Sequence, residues 1–415
     1  MKVLHTSDWH LGQLFYQHTR EKEHQAFLTW LTNTLLAEHI DLLLVAGDIY
    51  HTATPPASAE NQLYQFIKTT KQHCPDLHIV IIAGNHDSAN RIMAAKPLLA
   101  QFDTHVVGRF DANHPENVVL SITTNKGPAT VVAMPFLRTS DIQLITNTDN
   151  TSSYNVKIAE AYQRALDIAT QQHQADSPLI VMGHLHAKGG DISTDSERNL
   201  VIGGEDAISA NVFGKQADYV ALGHLHKAQK VAKSEHIRYC GTPLPMSFSE
   251  RNYQHQVLIA EFSQQVDGTL NCAVKPLYIP RPAPILMLPE GDCVPLAQLC
   301  EQLSALQLPT TELAPYLRVK LHASETDTTF REQIENALEA KAVRFCGIER
   351  VRQTNNESNN NAVFEDLSQV EMLNPHTLLA QAFAANKDMA GTVMPEQLTS
   401  LLNNVIAELE EQEQQ

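Results

Sequence analysis

An α/β fold is predicted for about the first 272 of the 415 residues, on three observations. Short apolar runs alternate with helical patterns. The runs are β-branched or Leu-rich and too short for helices, as strands buried on both faces should be. Almost every run is followed at once by a small cluster of Gly, Asp, Asn and His, at the sheet edge where α/β proteins commonly place ligands. In chain order the runs are "KVLHTS", "DLLLVA", "HIVIIA", "TVVAM", "PLIVM" and "YVAL". The stretches "EKEHQAFLTWLTNTLLAEH" and "SAENQLYQFIKTTKQH" are expected helices between them.

A second unit follows "YIPRPAPILMLPEGD", whose prolines mark a linker or domain entry. There "YLRVKLHA" predicts a strand, "TTFREQIENALEA" a helix and "AVRFCGIERVRQ" another strand, which together make a small α+β domain over 273–353. The polar stretch "TNNESNNN" is an expected flexible linker, 354–361. A helical segment is expected over 362–412. Within it Leu398, Leu401, Leu402, Val405, Ile406 and Leu409 form one apolar stripe, with Pro395 near its start. Such a stripe is covered either by its own chain, for instance "HTLLAQAFAAN", or by a partner helix or coiled coil.

Composition narrows the class. With 43% hydrophobic and 19% charged residues the chain is an ordinary globular protein, and no run approaches the roughly 18 apolar residues of a membrane span. "MKVLHTSDWHLG" has no apolar core, so no signal peptide is expected. Cys74, Cys240, Cys272, Cys293, Cys300 and Cys346 are scattered without a CxxC pair, which suggests reduced thiols and a cytoplasmic location. The net charge of −17 argues against a strongly basic, stand-alone nucleic-acid binder. From Thr354 onward, however, ten acidic residues face only Lys387, so the rest of the chain is mildly acidic and leaves room for a local positive surface.

The chemistry is concentrated in "DWH", "GDIYH", "GNHD" and two copies of "GHLH". Asp8 and His10 are spaced i, i+2 and so point to one side; His224 and His226 repeat that spacing. Asp48, Asn85 and His184 each follow a glycine, which allows a sharp turn and a close approach of the backbone. Carboxylate and amide oxygens mixed with imidazoles suit Mn²⁺ or Fe²⁺ and admit Zn²⁺; a cysteine-type site is absent. Asp8, His10, Asp48, Asn85, His184, His224 and His226 are too many ligands for one ion and suit two, with Asp48 as the natural bridge. With Asp8 and Asp48 as the only anionic ligands, two divalent ions leave the site about two units positive, a surplus that a phosphate ester neutralises. A lone Asp-x-His or Gly-His is usually structural. Five such elements in order, each ending an apolar strand, are the signal.

The ordered set "D-W-H…G-D…G-N-H-D…G-H…G-H-L-H" resembles the calcineurin-like metallophosphoesterase signature. That resemblance implies an αββα sandwich, two β-sheets flanked by helices. More closely, "HTSDWHLG", "LLVAGDIYHTATPP", "IAGNHDS", "DYVALGHLHKAQ" and "YCGTPLPMSFSE" resemble the nuclease subunits of bacterial double-strand-break repair complexes, strongly over about residues 1–250. The α+β unit resembles that family's DNA-capping domain in layout only, and the helical tail its partner-binding segment.

By motif, the resemblance implies one Mn²⁺ held by Asp8, His10, Asp48 and His226, and another by Asp48, Asn85, His184 and His224. It implies that His86 is the catalytic histidine. Asp87 either orients that loop or merely stabilises a turn; His51 either touches substrate or is a plain loop histidine. The two GHLH copies are then unequal, with His186 a bystander, and His5 in the first strand is structural. The resemblance further implies a coiled-coil ATPase partner docked through the tail, DNA as substrate, a homodimer within a heterotetramer, and nucleoid association. The competing readings are a phosphomonoesterase or cyclic-nucleotide phosphodiesterase, and a non-catalytic tethering subunit. Arg20, Arg91, Arg138 and Lys227 lie near the motifs, as phosphate-gripping groups or as ordinary surface charges.

Overall fold

The structure, a computed structural model, describes residues 1–143, 145, 154–174, 176–191, 207–265, 268–322, 327–351 and 398–403. Two six-stranded sheets form the larger part. The first runs Leu270–Tyr278, Gln256–Gln264, Lys2–Thr6, Leu42–Ala46, His78–Ile82, Thr104–Val107 in spatial order. The second runs Gln229–Lys230, Ile237–Tyr239, Tyr219–Gly223, Leu179–His184, Gly127–Ala133, Val119–Thr124.

Alternation along each strand explains the continuous apolar runs. Leu42, Leu44 and Ala46 turn toward the second sheet and share one core with Val132, Val181, Val220 and Leu222. Leu43 and Val45 turn the other way, against Phe27, Leu31 and Leu35 of helix Glu21–Ala37 and Leu63 and Phe66 of helix Ala57–His73. Helix Tyr154–Gln172 packs on the second sheet through Ala161, Tyr162 and Ala165. The layers are therefore helix, sheet, sheet, helix, the αββα arrangement. No helix among the described residues is long and apolar enough to cross a membrane.

Two features were not anticipated. Gln256–Gln264 pairs antiparallel with Lys2–Thr6, and Leu270–Tyr278 extends that hairpin, so the expected boundary at residue 272 falls inside a strand of the first sheet. The stretch "YIPRPAPILMLPEGD", expected as a linker or domain entry, contains a strand, Ile285–Leu288, paired parallel with Tyr316–His322. Its prolines hide it from a sequence reading, yet Pro284 and Pro289 stand outside the ladder, where a missing N–H costs nothing. Arg344–Val351 completes this three-stranded parallel sheet. Its core joins Leu317, Val319 and Leu321 to Leu299 and Leu303 of helix Leu296–Ala305, also unforeseen, and to Ile334 of helix Phe330–Leu338. The linker 354–361 and the helical segment 362–412 lie outside the described residues, except that 398–403 are helical, with Leu401 exposed.

His5 stitches the two large sheets together: its Nδ1 lies 2.9 Å from the Tyr219 hydroxyl and its Nε2 3.2 Å from the Leu222 carbonyl. Burial holds it at about 3, and likewise holds His24 at about 3 and His255 at about 4. These values lie below the unfolded histidine value of about 6.5, so the unfolded chain binds more protons and stability falls on acidification below that point. Three such groups give a slope of roughly 4 kcal/mol per pH unit, large against a typical total of about 5–15 kcal/mol. The denaturant midpoint, measured with EDTA present, is expected to drop between pH 6 and 5. Equal midpoints at pH 7.5 and 5 would show that these rings are not buried neutral.

Candidate metal centre

The strand ends of both sheets converge on one buried cluster. Asp8 and His10 follow Lys2–Thr6, Asp48 follows Leu42–Ala46, and Asn85 follows His78–Ile82; His184 ends Leu179–His184, and His224 and His226 follow Tyr219–Gly223. Asp8, His10, Asp48, His184, His224 and His226 are all buried. Asp8, His10, Asp48 and His224 adopt positive φ (54°, 47°, 50° and 101°), a conformation uncommon for such residues and held here by the surrounding strands.

Close approach, more than turning, explains the glycines. A Cβ on Gly84 would stand 2.1 Å from Asp48 Oδ1, and one on Gly223 would stand 1.9 Å from the Ala46 carbonyl oxygen. Gly47 alone of the ligand-preceding glycines also needs its positive φ, 88°.

Ligand atoms gather in three overlapping sets among the described residues, one of them His10, His51 and His86 at the rim. Those of Asp8, His10 and His226 lie within 4.8 Å of one another, as do those of Asp8, Asp48 and His184. Asn85 Oδ1 lies 2.9 Å from His184 Nε2 and 3.1 Å from His224 Nδ1. The donor chemistry fits a cation. His184 Nδ1 is 2.9 Å from the Ala46 carbonyl and must donate to it, so in the neutral ring Nε2 presents a lone pair to Asn85 Oδ1 and, at 3.5 Å, to Asp48 Oδ2. His10 Nε2 is buried, 3.6 Å from Asp48 Oδ2, and makes no hydrogen bond. Several lone pairs facing one another in a dry cavity are unfavourable without a positive charge between them.

The field in the cavity agrees. Burial pushes Asp48 up, but His184, His86 and His10 outweigh it and hold the carboxylate well below its usual range. Burial lowers His184, yet the Asp48 charge and hydrogen bond raise it to about 9, so without a metal the ring takes up a proton at Nε2, in the place a cation would fill. Asp8 is pushed up to about 6, chiefly by burial.

At the rim stand His51 and His86, both half-buried, with rings stacked 5.6 Å apart. The His86 amide donates to Asp48 Oδ1 at 2.9 Å, and His86 Nδ1 lies 2.8 Å from the His51 carbonyl. His51 Nδ1 is 3.4 Å from His10 Nδ1. Asp87 is buried and pins the loops: its carboxylate accepts from the amides of Gly84 (2.8 Å), Tyr50 (2.9 Å) and Ile49 (3.1 Å). Burial raises its pKa to about 6. The Gly84 contact lies within the turn, while the Ile49 and Tyr50 contacts reach the neighbouring loop, so Asp87 makes contacts of both expected kinds. His186 is half-buried and belongs to none of these ligand-atom sets.

The four basic residues separate cleanly. Arg20 is buried against Glu23 (3.1 Å), Arg91 meets Glu60 (3.3 Å) and Lys227 meets Asp191 (2.9 Å). Arg138 touches the GNHD loop, donating to the Asp87 carbonyl at 2.6 Å, and Arg20 also donates to the Pro245 carbonyl of "YCGTPLPMSFSE" at 2.6 Å. One residue of the site escaped the sequence reading. Glu250, fully buried, accepts from His226 Nδ1 at 3.1 Å and from the Met246 amide at 2.8 Å. Its signal was a carboxylate closing the otherwise uncharged segment "YCGTPLPMSFSE".

Comparison with known proteins agrees with this geometry. Residues 1–228 match the family described as calcineurin-like phosphoesterase, and residues 281–387 match one described as type 5 capsule protein repressor C-terminal domain. The chain is 35% identical to the SbcD component of the nuclease SbcCD of Rhodobacter capsulatus, over 84% of this chain and 87% of the relative. It is 35% identical to the protein of the same name from Escherichia coli K12 (85% and 86%) and 33% identical to that of Bacillus subtilis 168 (65% and 68%).

Proposed function

The chain belongs to the calcineurin-like phosphoesterases and, within them, to the SbcD nuclease subunits, and from that membership we propose a two-metal DNA nuclease working in a complex with an SbcC-like coiled-coil ATPase. In such a complex it acts as an ATP-dependent double-strand exonuclease and as a single-strand and hairpin endonuclease, processing DNA ends in recombination and repair. The observation that carries the reading is the buried Asp/His cluster in a chain whose likeness to the nuclease subunits continues past the phosphoesterase part. A compact phosphatase has no use for the added sheet at 285–351 or the acidic tail.

Asp8, His10, Asp48 and His226 would hold one divalent ion, Mn²⁺ by this reading, and Asp48, Asn85, His184 and His224 a second, and the pair would supply Lewis-acid activation of water and neutralise phosphate charge. The chain's own residues do the rest. Asp48 would be shared between the two ions, and its Oδ1 accepts from the His86 amide. The His51 carbonyl takes the Nδ1 proton of His86, so the ring exchanges its other proton at Nε2, where it donates to the departing oxygen of the phosphodiester. His51, beside it on the rim, faces the substrate. The segment 362–412 docks on the partner's coiled coil, and the partner supplies DNA-binding charge that this chain lacks.

Purified full chain with Mn²⁺ is expected to cut circular single-stranded DNA, and His86→Ala to slow that cleavage by about 10²–10⁴-fold while binding metal normally. Hydrolysis of a small phosphomonoester alone would establish the phosphatase reading instead. Inactivity on both substrates, with the ATPase also present, would leave only the tethering role.

A further inference from the structure

We propose that Glu250 is a positioning residue for the metal ligand His226, and that the three-stranded sheet at 285–351 sets the place of Glu250, so that seating of this sheet is felt at the metal centre. The inference rests on the metal-site reading above and extends it.

Both carboxylate oxygens of Glu250 are committed, one to His226 Nδ1 and one to the Met246 amide. Nδ1 donates to that carboxylate, which directs Nε2 toward Asp8 and His10 and raises the ring's strength as a donor. The loop carrying Glu250 is held from the far side by the small sheet. Phe248, two residues away and buried, packs 5.3 Å from the Phe15 ring and 5.2 Å from the Tyr16 ring, and the Arg318 guanidinium lies 5.8 Å from its own ring. Arg318 also donates to the Tyr16 hydroxyl at 2.9 Å. At the start of the loop, the Pro245 carbonyl accepts from Arg20 at 2.6 Å. Arg20 pairs with Glu23, whose other oxygen accepts from the Tyr316 hydroxyl and, at 2.8 Å, from Arg344. Arg318 and Tyr316 belong to the central strand of the small sheet and Arg344 to its neighbour. Two short routes thus lead from this sheet to His226, and both pass through residues 245–250.

The contact is more than loop reinforcement. A carboxylate at 0% exposure is costly to bury, and a loop needing only the Met246 amide bond would be served by a neutral acceptor. The charge is useful where an imidazole must hold a cation.

Mn²⁺ titration of the full chain, followed by electron paramagnetic resonance, tests this without reference to turnover. Glu250→Gln keeps the side-chain shape and is expected to weaken one Mn²⁺ site by about 10- to 100-fold, leaving the other near wild type. Arg318→Ala, outside the ligand set, is expected to weaken the same site by a smaller factor. Glu250→Asp, which restores the charge, is expected to recover part of the loss. Wild-type affinity in Glu250→Gln would overturn the positioning role, and wild-type affinity in Arg318→Ala would overturn control by the small sheet. A wild-type chain that binds no Mn²⁺ would overturn the metal-site reading itself. Cleavage failing while both variants shift Mn²⁺ binding as expected would overturn only the nuclease assignment. Unfolding midpoints of the variants identify any loss of binding that comes from misfolding, and Arg318→Ala carries the test if Glu250→Gln does not fold.

Discussion

Asp48→Asn is expected to remove metal-dependent hydrolysis almost completely, by about 10³-fold or more, with the fold intact. The side chain keeps its size, and its amide oxygen still accepts from the His86 amide, now at 2.9 Å from Oδ1. What is lost is the charge on which the cluster turns. Asp48 Oδ2 is approached by both His10 Nε2 (3.6 Å) and His184 Nε2 (3.5 Å), as expected of an oxygen shared between the two halves of the site. The Asp48 charge is also the main force that raises His184 against burial. Loss of a shared anionic ligand removes several kcal/mol of metal-derived stabilisation, which the rate law converts to roughly 10³-fold. The check is Mn²⁺ stoichiometry and DNA cleavage side by side with an unchanged circular-dichroism spectrum. Full cleavage by the Asn variant would mean that the bridge lies elsewhere.

Gly223→Ala is expected to be the most damaging glycine-to-alanine change among the described residues. Its Cβ would fall 1.9 Å from the Ala46 carbonyl oxygen, 3.0 Å from its carbon and 2.9 Å from His184 Nδ1. None of these is a flexible side-chain end. The strand must move away from its facing sheet, and the displaced carbonyl is the group that orients His184. Overpacking of this kind costs about 3 kcal/mol or more. A lowered denaturant midpoint and weakened Mn²⁺ binding are expected together. Gly291→Ala, where a Cβ meets nothing within 4 Å, is the control and is expected to stay within about 0.5 kcal/mol of wild type. Equal stability of the two variants would contradict the close contact between the sheets.

Much of the larger domain was legible because its strands are buried on both faces, which writes a continuous apolar run such as "DLLLVA" into the sequence. Helices Glu21–Ala37 and Ala57–His73 were legible for the complementary reason, a 3.6-residue stripe against one face of a sheet. The small sheet was harder. Ile285–Leu288 is four residues long and bracketed by prolines, and only its partner Tyr316–His322 makes it a strand. Glu250 was quoted within a motif but given no role, since nothing local marks a carboxylate that bonds a ring 24 residues earlier.

By itself the sequence determined that Asp, Asn and His would stand at the ends of apolar strands, because strand period and glycine placement are local properties. Only the tertiary structure decided which of them share one cavity. Asp8 accepts from the amide of His224, 216 residues away, and His184 donates to Ala46, 138 residues earlier. Such contacts exist because two sheets pack face to face with almost no space at Gly84 and Gly223, and that closeness is a property of the packed core, which no single segment encodes.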